Sequence, residues 1–237
     1  MMEAQSTKQI SQISQIKQLK EMTCLVCGAG DGEGNRVVQS HSEPDRYERA
    51  VGLTSEGYFR QWVRCGGCGF HQSVYSRPDD ALDKLYDGAY RSEDAPWRTS
   101  SPAEIFDRVV ALPPAESETR ARVDWIHARI DEARTDGFIG TPEAGAAGGK
   151  ISRMLDVGGA TGIMAHEFRS PDWLSHVVDP DENGRFMEEC HGIPFKQARY
   201  EPGLFGHGFE LVTLVYVLEH VADPAAVLES LKGDLGP

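Results

Sequence analysis

Met154-Leu155-Asp156-Val157-Gly158-Gly159-Ala160-Thr161-Gly162 is the stretch that decides the fold of this chain. Ser152 to Val157 is a short apolar strand, the glycines end it, and Gly162 to Phe168 starts a helix. Small residues at such a junction let the backbone approach a ligand closely, and the helix N-terminus offers free N–H groups. The spacing is an acidic residue followed by G-x-A-x-G, not the G-x-G-x-x-G of dinucleotide-binding folds.

Downstream the alternation continues. Ser175 to Asp179 is a second strand whose last residue is a carboxylate, placed where it can accept both hydroxyls of an adenosine ribose. Asp181 is an N-cap for a helix with Phe186, Met187 and Cys190 on its inner face and Gly192 as its stop. Pro194 to Ala198 reads as a third strand. Glu210 to Val217 is nearly continuous in apolar residues, as expected for a strand covered on both faces. Asp223-Pro224 then caps a helix with the stripe Val227, Leu228 and Leu231, ended by Gly233. Strand and helix alternate throughout, which predicts an α/β domain with a parallel sheet and helices on both faces.

Upstream, Ser117 to Arg134 is a helix with Val123, Ile126 and Ile130 on one stripe. Residues 78–112 read as short helices and loops. The expected organisation is a low-complexity tail over 1–22, a cysteine-bearing domain over 23–76, a helical connecting segment over 77–135, a Gly/Ala linker over 136–150 and the α/β domain over 151–237. The period-3 repeat of the tail leaves no persistent helical face.

Cys24-Leu25-Val26-Cys27-Gly28 and Cys65-Gly66-Gly67-Cys68-Gly69 are two C-x-x-C-G knuckles. Two intervening residues let both sulfurs of a pair face one ion from a tight turn, and the following Gly permits the left-handed backbone such a turn needs. Together they offer four thiolates in tetrahedral array, which suits a closed, structural zinc site rather than a catalytic one. The alternatives are two redox dithiols or four unrelated core cysteines. The paired Gly-terminated knuckles, without a thioredoxin-like pattern, favour metal. The segment Gly57 to Arg64 reads as a strand entering the second knuckle. His41 and His71 read as loop residues and Cys190 as core.

The 237 residues carry 24 Lys+Arg against 37 Asp+Glu, a net charge of −13. Such a chain repels phosphate backbones and anionic lipid over most of its surface, which disfavours nucleic acid as a partner. No apolar run approaches the ~20 residues of a membrane span. The N-terminus has no secretory h-region, so the expected compartment is the cytoplasm, with reduced cysteines.

Asp156 to Gly162, Asp179 and the run Leu218-Glu219-His220-Val221-Ala222-Asp223-Pro224 resemble class I S-adenosylmethionine-dependent methyltransferases. The two knuckles, with Asp80 to Tyr90 behind them, resemble a subgroup with a zinc-ribbon-like front domain. That subgroup includes sugar methyltransferases of deoxysugar and surface-polysaccharide pathways. The resemblance implies a Rossmann-like domain behind the zinc ribbon, with S-adenosylmethionine and a structural zinc ion as cofactors. It implies that Asp156 orients the methionine amino group. Gly158, Gly159, Ala160 and Gly162 wrap the methionine and ribose portions, and Asp179 takes the ribose hydroxyls. Gln197 to Arg199, with Ala198 at the centre, border the adenine. Tyr216 to Leu218 border the methyl-transfer pocket, with Glu219 and His220 as catalytic candidates at its rim and His220 as the base. Cys24, Cys27, Cys65 and Cys68 hold the zinc.

The family usually has Gly where Ala160 stands, a change that matters if the backbone there is left-handed. The family's sheet has seven strands, and this sequence runs out after the fourth and its helix. That leads to the expectation of a truncated chain, or of another chain covering the 210–217 edge. The leading functional expectation is methyl transfer to a small molecule, best a nucleotide-sugar. The others are a macromolecular acceptor, a non-catalytic interaction protein and a nicotinamide-binding domain, the last opposed by the glycine spacing.

Overall fold

The computed structural model describes residues 22–30, 34–76, 100–137, 151–221 and 223–236. The expected tail up to residue 21, the segment Asp80 to Tyr90 and most of the 136–150 linker lie outside the described residues. The described residues form two compact units. One comprises the residues before position 77 together with 219–225, and the other comprises 100–218 together with 226–236.

The first unit is built on three antiparallel strands in the order β1-β2-β3, with β1 Arg36–His41, β2 Arg60–Arg64 and β3 His71–Tyr75. A short helix, α1 (Arg46–Ala50), joins β1 to β2. Asp45 caps it, accepting from the N–H groups of Tyr47 and Glu48, while Glu48 reaches back to the Asp45 N–H. Glu48 is itself buried and takes hydrogen bonds from the Tyr58 hydroxyl at 2.8 Å and the Arg60 guanidinium at 3.0 Å. Burial, reinforced by the bond to Glu48, raises the Tyr58 phenol well above its usual range. The apolar core is small: Met22, Tyr58, Val63 and the two buried cysteines Cys24 and Cys65.

The second unit holds a four-stranded, fully parallel sheet in the order β6-β5-β4-β7: β4 Ser152–Val157, β5 Trp173–Asp179, β6 Phe195–Gln197 and β7 Leu211–Thr213. Along β4, Met154 packs to one face and Leu155 and Val157 to the other, as the two-residue period requires. The first face is covered by α2 (Pro102–Val110), α3 (Glu118–Thr135), α4 (Ile163–Phe168) and α5 (Phe186–His191). Phe106, Ala165, Val177 and Met187 form one cluster there, and Val123, Met154, Phe168 and Trp173 a second. On the other face Leu155, Val157 and Val178 meet Phe209, Leu231 and Val227, the last two from α6 (Pro224–Leu231). No helix among the described residues is long and apolar enough to cross a membrane.

The structure departs from the sequence reading in several places: His41 and His71, read as loop residues, end β1 and open β3. The expected strand Glu210 to Val217 is paired only at Leu211–Thr213, because its partner β4 matches it only from Met154 to Asp156 before turning into the glycine loop. The expected helix after Asp181 splits into a 3-10 turn, Glu182–Gly184, and α5. Cys190 is exposed rather than core. The inner row of α5 is taken by Met187 and by His191, whose ring lies 4.7 Å from Phe106. Finally, the described part of the segment read as connecting, 100–135, packs its helices onto the sheet itself. The Ser101/Glu104 capping box with Pro102 at the first position sets the start of α2, and Ser117 caps α3.

Arg120 locks these helices together. Its Nε donates to Glu167 of α4 at 2.9 Å, and its Nη atoms donate to the carbonyls of Val110, which ends α2, and of Leu112 just past it. Removing it leaves a partly buried carboxylate and two carbonyls unpaired. Arg120→Leu is therefore expected to lower stability, read as a shift of the denaturant midpoint to lower concentration with unchanged slope.

Candidate cofactor crevice and cysteine cluster

The C-terminal ends of β4 and β5 bring together most of the predicted cofactor residues. Asp156 lies inside the sheet, 2% exposed, and its Oδ1 accepts the Thr213 hydroxyl of β7 at 2.7 Å. Desolvation, offset in part by that bond and reinforced by the nearby Asp179 charge, pushes the Asp156 carboxyl up to about 7, while Arg122 acts in the opposite direction. The backbone at Gly159 runs so close that a Cβ there would stand 2.6 Å from Asp156 Oδ2. Gly158 has a φ of 71° and Gly162 one of 72°, so the loop turns through left-handed backbone at both ends. Gly162 then opens α4.

Asp179 ends β5 and is buried. Its Oδ2 accepts the Ala160 N–H at 3.0 Å and its Oδ1 the Asp181 N–H at 2.8 Å, so the second carboxylate is fastened to the glycine loop of the first. Ala160 has a φ of 46°, the left-handed conformation in which a Cβ costs about 1 kcal/mol relative to glycine. Ala198 is half-buried just beyond β6, and its N–H donates to the Asp179 carbonyl at 2.9 Å. Gln197 accepts from Arg185 at 3.0 Å. Tyr216 follows β7, exposed and with a φ of 59°. Its hydroxyl donates to Glu118 at 3.2 Å, and the Arg122 guanidinium lies 5.7 Å from its ring centre.

Glu219 and His220 fall in the first unit, with Oε1 and Nε2 4.0 Å apart and both side chains half-exposed. Sequence reasoning missed Thr213, Glu118 and Arg122. The one signal for Thr213 was its hydroxyl interrupting an apolar strand. Glu118 and Arg122 sit on a helix whose apolar stripe spoke only of packing.

The four knuckle cysteines converge, with all four Sγ atoms within 4.8 Å of one another. Cys24 Sγ lies 3.6 Å from Cys68 Sγ, and Cys27 Sγ 3.8 Å from Cys65 Sγ. A tetrahedron of sulfurs about 2.3 Å from a zinc ion has edges of about 3.8 Å, so the residues present fit that ion. The two knuckles are built alike. In each, the Gly N–H returns to the first cysteine's carbonyl (Gly28 to Cys24, Gly69 to Cys65, both 3.0 Å) through left-handed backbone. Gln72 of β3 holds the first knuckle, accepting from Leu25 N–H and donating to the Thr23 carbonyl. Asn35 holds the second through the Gly66 N–H. The N–H groups of Cys68 and Gly67 lower the Cys65 thiol to about 6. At Cys68 the Phe70 N–H also lowers the pKa, but desolvation and the three other thiols outweigh it and raise the group to about 12. Crowding of this kind is relieved when a cation takes the place of the protons.

Residues 99–237 match the family model of a methyltransferase domain, Methyltransf_23. No curated protein matches the chain. Among solved structures, the chain is similar to the YcgJ protein of Bacillus subtilis (21% identity over 37% of this chain and 41% of that one, TM-score 0.31). It is also similar to the plantazolicin methyltransferase BpumL in complex with S-adenosylhomocysteine (14%, 57% and 56%, 0.33). A third is the N-methyltransferase NodS of Bradyrhizobium japonicum WM9, also with S-adenosylhomocysteine (12%, 58% and 69%, 0.34). The chain spans less than two thirds of the first two of these proteins. The family match takes in the glycine loop, both buried carboxylates and the whole parallel sheet, and by it this chain belongs to the methyltransferase-domain family.

Proposed function

We propose that this chain transfers a methyl group from S-adenosylmethionine to a small-molecule acceptor, with nucleotide-sugars as the acceptor class. The observation that carries the donor half is the loop 158–162 fastened between the buried carboxylates Asp156 and Asp179 at the C-terminal ends of adjacent parallel strands. Open parallel sheets bind their ligands at that end. The bound sulfonium donor supplies an activated methyl group, and placement against the acceptor accounts for most of what a protein must add. In this reading Asp156 receives the cationic amine of the donor, which offsets the desolvation of its carboxylate. Gly158, Gly159, Ala160 and Gly162 shape the backbone around the methionine and ribose. Asp179, held by two N–H groups, takes the ribose hydroxyls. Ala198 borders the adenine and Tyr216 the methyl-transfer pocket. His220 is the proposed base and Glu219 its partner, on the strength of their sequence position directly after the fourth strand. The nucleotide-sugar class rests on the resemblance of the knuckles and crevice motifs to the zinc-ribbon subgroup.

The second part of the reading is a structural zinc ion on Cys24, Cys27, Cys65 and Cys68, supported by the fit of their sulfur separations. Four protein ligands leave no open coordination position, so this ion supplies folding energy rather than catalysis. The competing reading is a non-catalytic chain working through a partner. In its favour, β7 (Leu211–Thr213) pairs with β4 alone among the described residues, which leaves its other edge for another strand to cover.

Calorimetric titration with S-adenosylmethionine decides between these readings. Saturation near one site per chain is expected, and a folded, zinc-loaded chain that binds neither donor nor demethylated product would sink the enzymatic reading. Nucleotide-sugars are then tested as acceptors by following product formation.

Asp156 also links pH to stability. Its folded pKa of about 7 lies above that of an unfolded aspartate, so the folded state holds the extra proton between about pH 4 and 7, and stability falls as pH rises through that window. Asp156→Asn keeps an acceptor for Thr213 and carries no charge. Its unfolding temperature is expected to exceed the parent's by several degrees at pH 8 (roughly 2–4 °C per kcal/mol) and to match it near pH 4, while donor affinity drops. A constant difference across pH would contradict the assignment.

Protein purified without chelator is expected to carry about one zinc per chain, and Cys24→Ser to lose it. Removing the ion with a chelator is expected to unfold residues 22–76, read as loss of amide protection in β1–β3 with β4 and β5 unchanged.

A further inference from the structure

The three-stranded sheet of the first unit has two unlike faces. Val63, 1% exposed, and Gln72, which holds the first knuckle, lie on one of them. The two-residue period puts Arg60, Trp62 and Arg64 of β2 on the other. Cross-strand partners stand with them, Arg36 and His71 beside Arg64 and Tyr75 beside Arg60. The Arg60 guanidinium lies 6.0 Å from both the Trp62 and the Tyr75 ring centres, as the shared side requires. At that end of the face Arg60 is neutralised, by Glu48 at 3.0 Å and Asp45 at 3.5 Å. At the other end the row Arg36–Arg64–His71 is exposed on all three strands, and neither arginine has an ion pair among the described residues.

Like charges directly opposite each other on neighbouring strands, with Cβ atoms about 5 Å apart, destabilise a sheet. A chain with 37 Asp+Glu against 24 Lys+Arg has acids in excess to set against them, yet this row contains none. An uncompensated Arg36–Arg64 couple in so acidic a chain is a place for an anion rather than a contact that serves the fold. Resting on the nucleotide-sugar reading for the identity of that anion, we propose that this face binds a nucleoside diphosphate, with its two phosphates on Arg36 and Arg64 and its base against Trp62 in the adjoining row. A guanidinium takes phosphate oxygens through two parallel N–H donors, and two of them side by side match two joined phosphates in number and charge. The half-buried indole one row along offers a flat face for a planar ring. The Arg64 guanidinium also lies against the second knuckle, its Nη2 3.4 Å from where a Cβ on Gly69 would stand, so the cysteine turn borders the site. Nucleic acid is the weaker occupant, because it needs many cations in line and the excess acid of the chain repels the rest of the strand.

The test titrates the full, zinc-loaded chain with inorganic phosphate, inorganic pyrophosphate, uridine 5′-diphosphate and uridine. Affinity is expected to rise about tenfold from phosphate to pyrophosphate, the gain of one more charge-assisted contact. It is expected to rise again for uridine 5′-diphosphate, with uridine alone too weak to measure. Arg36→Met and Arg64→Met are each expected to weaken uridine 5′-diphosphate roughly tenfold or more, with zinc content and S-adenosylmethionine affinity as in the parent. Trp62→Leu is expected to bind pyrophosphate as the parent does and to lose the advantage of the nucleoside. Arginine variants that bind uridine 5′-diphosphate like the parent overturn the proposal, and if Arg64→Met loses its zinc, Arg36→Met alone decides. A single-stranded RNA oligonucleotide that binds more tightly than the diphosphate, with a steep salt dependence, overturns it in favour of nucleic acid. An unchanged KM for a nucleotide-sugar in both arginine variants overturns this inference and leaves the acceptor reading standing. A donor-loaded chain that binds uridine 5′-diphosphate through the row but methylates no nucleotide-sugar sinks the acceptor reading and keeps the binding face.

Discussion

A carboxylate buried in the middle of a parallel sheet is the constraint on which the second unit turns. Asp156 occupies a position that packing alone would give to valine, and desolvation acts against its charge. The surrounding sequence compensates locally. Thr213 supplies a hydroxyl from the neighbouring strand, in register with it across the sheet. Gly159 gives up its side chain so that the backbone can pass within contact of the carboxylate. A second acid, Asp179, ends the next strand and adds repulsion, but its own oxygens are tied to the N–H groups of Ala160 and Asp181. The arrangement keeps an acid where it costs stability, as the proposed amine-binding role requires.

The first unit solves a different problem. A β domain of this size cannot bury enough apolar surface to stand on its core alone. Its interior is Val63, Tyr58 and Met22 around two cysteines, with Glu48 rather than a hydrophobe as the buried residue of α1 between β1 and β2. The polar contacts are arranged to deliver sulfur: Gln72 and Asn35 each fix one knuckle by hydrogen bonds to its backbone. Under the proposed zinc reading, an ion held by these four thiolates stands in for the missing core.

Much of this was legible because the decisive features are local. The knuckles declare themselves by spacing and by the glycine after each pair. The glycine loop, Asp179 and the parallel alternation follow from short-range chemistry. What stayed hidden depends on register between distant segments. The extent of β7 is set by where β4 turns away, which no feature of 210–217 encodes. Cys190 went outward because the row of its helix that faces Phe106 runs through Met187 and His191. The Glu118–Arg122–Tyr216 cluster joins a helix and a strand end far apart in the chain, and neither contains a motif.

Ala160 and Tyr216 are the non-glycine residues with positive φ among those described, and both border the crevice. Such backbone costs of order 1 kcal/mol or more per residue and persists only where the surroundings over-determine it. At Ala160 the fixing contact is the N–H bond to Asp179, and at Tyr216 it is the hydroxyl bond to Glu118. Glycine would relieve the strain at either position at the cost of a looser loop. Under the proposed donor reading, an alanine in this loop exchanges stability for a backbone set in advance, which lowers the ordering cost of binding. Strained backbone beside two buried carboxylates at the C-terminal ends of the central strands β4 and β5 is the arrangement that the proposed ligand site calls for and that packing alone does not.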